Sequence, residues 1–193
     1  MVGAEHPPYV KMPRYNRNRS PGGTYFFTVV TYRRQPLFGD RRARAALREA
    51  VEETRANHPF DVVAWTLLPD HLHTIWKLPD GDSDYSTRWR LIKSRCTRSL
   101  CRVGALHPPS VQSRSRQRHG EQPVWQRRFW EHTIRDEEDL RKHIIYVHYN
   151  AVKHGLVEDA HLWPFSTIHR YDYDKLTGSL DFDEEAVSRM ECE

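Results

Sequence analysis

Cysteine is scarce: Cys96, Cys101 and Cys192 are the only three in 193 residues. An odd number without a CxxC pair builds neither a disulfide framework nor a thiolate zinc site. Long apolar runs are missing too. No stretch approaches the roughly 20 apolar residues of a membrane span, and the first residues lack the apolar core of a secretion signal. Internal repeats are absent. These absences leave a soluble, cytoplasmic chain as the expectation, with a length that suits one domain and a real core.

Charge is present in quantity but unevenly placed. The net charge is +4. From Asp172 to the end there are 8 acidic and 2 basic residues, so the remaining body carries 28 basic and 18 acidic groups. A basic body favours a polyanionic partner through phosphate contacts and counterion release. Residues 172–193 read as an acidic tail and residues 1–23, rich in Arg, Asn, Pro and Gly, as a basic arm ending in a turn. Residues 24–171 are the expected catalytic domain.

Within that domain, Thr24 to Tyr32 is β-branched and aromatic throughout and reads as a buried strand. Asp40 caps a helix running to about Asn57, with Ala43, Leu47, Ala50 and Val51 at helical spacing. Phe60–Leu68 and His71–Leu78 make two more strands joined by the Pro69-Asp70 turn. A basic helix follows over about Asp84–Arg102. Residues 104–122 are polar and low in complexity, and read as a mobile loop. Val124–Ile134 is an expected strand, and Asp136-Glu137-Glu138 opens a helix that Gly155 stops. The order β-α-β-β-α-β plus one helix is an α+β, ferredoxin-like pattern: an antiparallel sheet with helices on one face and an additional C-terminal helix. Many nucleic-acid proteins share that topology, so it decides little by itself.

In the third strand His71 and His73 are two apart, so both imidazoles point to the same face about 7 Å apart along the chain, while Leu72 points into the packing. Two neutral imidazoles can share one cation. Alone, HxH is a weak motif. Histidine-triad hydrolases need a third His where this chain has Ile75, and metallo-β-lactamase sites need an Asp-His pair where it has Ile75-Trp76.

The last helix supplies the partners. Tyr146 and Asn150 are four apart and share a helical face, which sets an amide oxygen beside the two histidines as a third ligand and a phenol beside the cation. Tyr149 is the rival nucleophile, but it lies about 100° around the helix from Asn150, against about 40° for Tyr146. A free phenol has a pKa near 10, so nucleophilic attack near neutrality calls for help from a divalent cation. The bland alternative is a core helix in which Tyr146 packs and Asn150 binds backbone.

With both motifs in place, the chain resembles the REP-associated tyrosine transposases, which belong to the HUH single-tyrosine transposases of single-stranded insertion sequences. The matching segments are PGGTYFFTVVTYRRQPLF (21–38), LLPDHLHTIWKLP (67–79), WQRRFWEHTIRDEEDLRKHIIYVHYNAVKHGLV (125–157) and WPFSTIHRY (163–171). The resemblance implies that His71 and His73 bind a divalent metal, Mg or Mn, that Asn150 completes the site, and that Tyr146 is the nucleophile. It implies DNA transposition through a 5′-phosphotyrosine intermediate on single-stranded DNA hairpins of the repetitive extragenic palindrome type, by a monomer or homodimer associated with the nucleoid when DNA-bound. One departure is Ala151, where the family often has Pro.

Candidate phosphate contacts are Arg14, Arg17 and Arg19 in the arm, Arg88, Arg90, Lys93 and Arg95 on the basic helix, Arg127 and Arg128 among aromatics, and Lys153 near Asn150. Two other readings remain at this point. One is a catalytically retired DNA-hairpin-binding protein or regulator on the same fold. The other is an RNA-binding RRM-type domain, whose Gly-aromatic RNP1 pattern is missing here.

Overall fold

The structure, a computed structural model, describes residues 18–105, 114–118 and 122–172. Arg14 and Arg17, most of the arm and nearly all of the acidic tail lie outside the described residues.

Four antiparallel strands, β1 (Thr24–Val30), β2 (Asp61–Leu67), β3 (His71–Lys77) and β4 (Trp130–Thr133), lie in the order β2-β3-β1-β4. The α-helices are α1 (Arg41–Asn57), α2 (Tyr85–Arg102), the five-residue α3 (Arg114–Arg118) and α4 (Glu137–Lys153). This is the α+β, ferredoxin-like arrangement. β1 is central, and the core clusters show both of its faces covered. Tyr25, Phe27 and Val29 pack with Leu72, Trp76, α1 and α2 on one side, while Phe26 packs with Ile75 and α4 on the other. That double burial explains why its sequence is apolar at nearly every position instead of alternating. Helices α1 and α2 therefore share one face, and α4 takes the opposite one.

Side-chain caps start the helices where Asp residues stand. Asp40 accepts from the Arg42 amide at 2.7 Å, Asp84 from Thr87 at 3.0 Å and Asp136 from Asp139 at 2.8 Å. α4 ends in a left-handed Gly155 (φ 64°), whose amide donates to Val152 while that of Leu156 donates to Ala151. This is a Schellman closure that a side chain at 155 would strain. Ala151 lets the helix run straight through to it.

Two sequence expectations need correction. The strand expected over 124–134 is only Trp130–Thr133, with Trp125 making a lone bridge to Thr31. Between the pairs Thr31–Trp125 and Thr28–Trp130, three residues of advance along β1 face five on the partner. The surplus bulges outward and exposes Arg127 and Arg128. Within the expected loop 104–122, residues 114–118 are helical, and Arg116 there is buried, donating to the Trp125 carbonyl at 2.9 Å.

Arg88 is a further correction. It is 2% exposed, and its guanidinium donates to Asp82 and the Pro59 carbonyl (2.7 Å each), the Asp84 carbonyl and the His58 carbonyl. It pins α2 to the ends of α1 and β3 and has no surface left for DNA. Arg88→Ala is expected to cost about 3 kcal/mol in urea unfolding, because it strands several buried acceptors.

The segment after α4 seals the β2 edge. Leu67 donates to the Phe165 carbonyl and Thr167 to that of Trp65, both at 2.9 Å, and the Trp163 indole donates to Leu67 at 3.0 Å. Covering the edge removes an open template for pairing.

Candidate active site

His71 and His73 enter the face of β3 that carries Ile75, as their spacing requires. Each is 2% exposed, and their ring centroids are 4.9 Å apart. Both rings are oriented through Nδ1. For His71 the partner is Asp70 Oδ1 at 2.6 Å, and for His73 it is Thr28 Oγ1, directly across the strand pair, at 2.9 Å. That leaves Nε2 of each ring for a further partner. His71 Nε2 is buried with no hydrogen bond among the described residues. A carboxylate behind a histidine is the arrangement that fixes the tautomer of a metal-binding imidazole.

Asp70 is itself held in place. The Arg34 guanidinium reaches it at 3.2 Å, and its carbonyl accepts from the amide and hydroxyl of Thr31 at 2.9 and 2.8 Å. The turn making these contacts carries two non-glycine residues in the left-handed region, Arg33 (φ 55°) and Arg34 (φ 51°). Strain of this kind persists where the surroundings hold it, and it gathers at functional sites. Burial would raise the Asp70 carboxyl, but hydrogen bonds and charge from His71 and Arg34 outweigh it and bring it down to about 2. Burial, together with nearby His71, His154, Lys153 and Arg34, pushes the His73 imidazole well below its ordinary value, so it stays neutral.

α4 brings Tyr146 and Asn150 to the same place. Tyr146 packs edge-on against Phe26 and against His73, with ring centroids 5.7 and 5.3 Å away. Asn150 Nδ2 donates to the Tyr146 carbonyl at 2.6 Å, which turns its Oδ1 away, and that oxygen is buried without a partner. Among the described residues, two orphaned buried acceptors, His71 Nε2 and Asn150 Oδ1, therefore accompany the Nε2 edge of His73. An N,N,O donor set of this kind suits a divalent cation. Tyr149 is half-exposed. Lys153 is exposed, with its ammonium 5.4 Å from the Tyr146 ring centroid, and the His154 ring lies 4.9 Å from that of His71.

Among the described residues, the group of three His and Asp side chains whose ligand atoms converge is a different one: His132, Asp139 and His143, within 4.8 Å of one another. Several of their donors and acceptors are already engaged with one another and with Arg135. Asp139 Oδ2 accepts from the Arg135 amide, the Arg135 guanidinium and His132, and His143 Nδ1 faces the Asp139 carbonyl at 2.8 Å. This is a junction that locks β4 to the first turns of α4. Burial would raise the Asp139 carboxyl, but the Arg135 and His132 hydrogen bonds and the nearby His143 hold it far below the usual range. A carboxyl depressed on folding stabilises fully above its unfolded value near 4, and that contribution is lost as pH falls through the lower folded value. Asp139→Ala is accordingly expected to cost about 2–3 kcal/mol at neutral pH. The deficit should shrink below about pH 4, which urea titrations across pH will read.

His148, between Tyr146 and Asn150 in sequence, faces elsewhere. It is fully buried, meets Thr167 Oγ1 at 3.1 Å, and burial brings its imidazole down to about 4. It ties α4 to the edge-sealing segment.

Of the expected DNA contacts, Arg19, Arg90, Arg127, Arg128 and Lys153 are exposed. Arg95 is turned to α1, donating to Glu53 and Thr54 at 2.8 Å. Lys93 donates to the Gln126 carbonyl at 2.8 Å. Sequence reasoning missed Asp70, Thr28 and the Arg33-Arg34 turn. Asp70 carried a signal, a carboxylate directly before a candidate ligand histidine, whereas Thr28 carried none, since only the strand register places it opposite His73.

No family model matches the chain. The REP-associated tyrosine transposase of Escherichia coli (strain K12) is 41% identical over 160 residues, 82% of this chain and 84% of that protein. A Haemophilus influenzae protein bearing the same family name is 40% identical over 162 residues, 82% of this chain and 87% of that one. A REP-associated tyrosine transposase solved bound to a REP hairpin superposes with a TM-score of 0.66 at 39% identity, covering 86% of this chain and 87% of that one.

Proposed function

The chain belongs to the REP-associated tyrosine transposases, and from that premise we propose that Tyr146 is its nucleophile, acting on single-stranded DNA next to a palindromic hairpin at a divalent-cation site formed by His71, His73 and Asn150. The observation that carries this reading is the meeting of two Nδ1-anchored histidines with an orphaned Asn150 oxygen, one helical turn from a tyrosine packed on His73.

The residues divide the work simply. Asp70 and Thr28 hold the imidazoles with Nε2 forward. Asn150 presents its oxygen because its amide nitrogen is committed to the Tyr146 carbonyl. A divalent ion bound there, Mg or Mn, supplies positive charge that offsets the charge developing on the scissile phosphate. The Tyr146 phenol oxygen forms a bond to phosphorus as the bond to the 3′ oxygen breaks. The phenolic proton passes to water, the leaving 3′ oxygen takes a proton from water, and the 5′ phosphate stays on the tyrosine. A later 3′-hydroxyl reverses the step and rejoins the strand, which hydrolysis by an activated water would forbid. Lys153, exposed at the end of α4 with its ammonium 5.4 Å from the Tyr146 ring centroid, can receive the phosphate.

The partner is a DNA hairpin, in line with the hairpin-bound relative. The test is incubation with single-stranded hairpins taken from DNA around the chain's own gene, with Mn or Mg. A covalent protein–DNA adduct on a denaturing gel is expected. Tight hairpin binding with no adduct under either metal would instead identify a retired binding protein.

A further inference from the structure

Across the sheet from His71 and His73, α2 and residues 122–129 enclose a groove of about 1120 Å3. One face of α2 forms a wall, with Arg90, Ser94, Arg98 and Cys101 at successive helical turns. Six cationic side chains line the groove, and among the described residues no carboxylate does. Two of the six are structural. Lys93 holds the bulge through the Gln126 carbonyl, and Arg116 lies 4.3 Å over the Tyr32 ring while holding the Trp125 carbonyl. The other four, Arg90, Arg98, Arg102 and Arg127, are exposed at the rim. The half-buried Phe129 ring forms its aromatic floor, over Trp125 and the fully buried Trp89, whose indole N–H groups have no acceptor among the described residues.

We propose that this groove binds a short single-stranded segment of DNA, with phosphates on the Arg90, Arg98, Arg102 and Arg127 rim and bases turned toward the aromatic floor. Concentrated positive charge, with no carboxylate among the described lining residues, selects a polyanion. The floor selects among polyanions. Unpaired bases offer flat apolar faces to an aromatic surface, whereas a duplex turns its phosphates outward and keeps its bases stacked inside. The assignment rests on the reading that the chain works on DNA, but not on the chemistry at Tyr146, from which the sheet separates it. The protein then grips its substrate at two places, with the strand to be cut on the α4 face and an unpaired stretch of the same DNA on the α2 face.

Cys101 lies in the groove and is exposed, while Cys96 is fully buried, so the site contains its own reporter. In the full chain carrying Cys192→Ser, a short oligothymidylate, which cannot form a hairpin, is expected to slow iodoacetamide labelling of Cys101 about tenfold at saturation. Arg98→Gln with Arg102→Gln is expected to weaken oligothymidylate binding about tenfold. The same pair should lower its log–log salt slope by about 1.4, because two fewer phosphates are neutralised. Unchanged labelling with the oligonucleotide bound, or unchanged affinity and slope in the double variant, would overturn the groove. Equal or better protection by a blunt duplex would overturn the single-strand assignment. Adduct formation on hairpin substrates is scored in parallel. Adducts without Cys101 protection remove only the groove, and protection without adducts removes only the Tyr146 chemistry.

Discussion

Tyr146→Phe is expected to abolish the covalent protein–DNA adduct while leaving hairpin affinity within about twofold. The ring does its packing work through Phe26 and His73, and phenylalanine keeps that shape. What disappears is the oxygen that bonds to phosphorus, and no neighbouring group replaces it. The cost in stability should stay near 1 kcal/mol, the usual net worth of one buried hydroxyl's hydrogen bond. Tyr149→Phe is the matching control. Tyr149 is half-exposed on another side of α4, and its loss should leave adduct formation intact.

The second large effect concerns the donor set. Asn150→Leu keeps the volume of the side chain but removes the orphaned oxygen, and His73→Ala removes one of the two imidazoles. Each is expected to weaken Mn binding, read by calorimetry, by about 100-fold or more, and adduct yield should fall with it. Asp70→Ala leaves every ligand in place but frees the orientation of His71 and releases Arg34, so a loss of about 10–100-fold is expected there. The contrast separates a ligand from the group that aims it. A binding isotherm unchanged in Asn150→Leu would remove Asn150 from the site.

Much of this was readable from the chain because the informative residues act locally. The period-2 spacing of His71 and His73 and the period-4 spacing of Tyr146 and Asn150 are properties of one strand and one helix, and both survive into the structure. The Asp caps at 40 and 136, and the stop at Gly155, depend on three or four neighbouring residues and are where the sequence places them. Non-local contacts were not readable. Thr28 meets His73 only because β1 pairs with β3 in one register, and Arg88 looks like any surface arginine until the carbonyls of residues 58 and 59 are brought to it. The shortened β4 has the same origin. Residues 124–134 carry strand-like composition throughout, but the bulge opposite β1 carries Arg127 and Arg128 outward. The cationic groove combines α2 with a distant segment, so neither stretch announces it alone.

The most direct test of the central claim is the position of the DNA on the protein. Trypsin should release residues 143–153 as one peptide containing both Tyr146 and Tyr149. Fragmentation of that peptide from the wild-type adduct, after nuclease trimming, locates the phosphate. The account predicts it on Tyr146. A phosphate on Tyr149, or an adduct elsewhere in the chain, would contradict it.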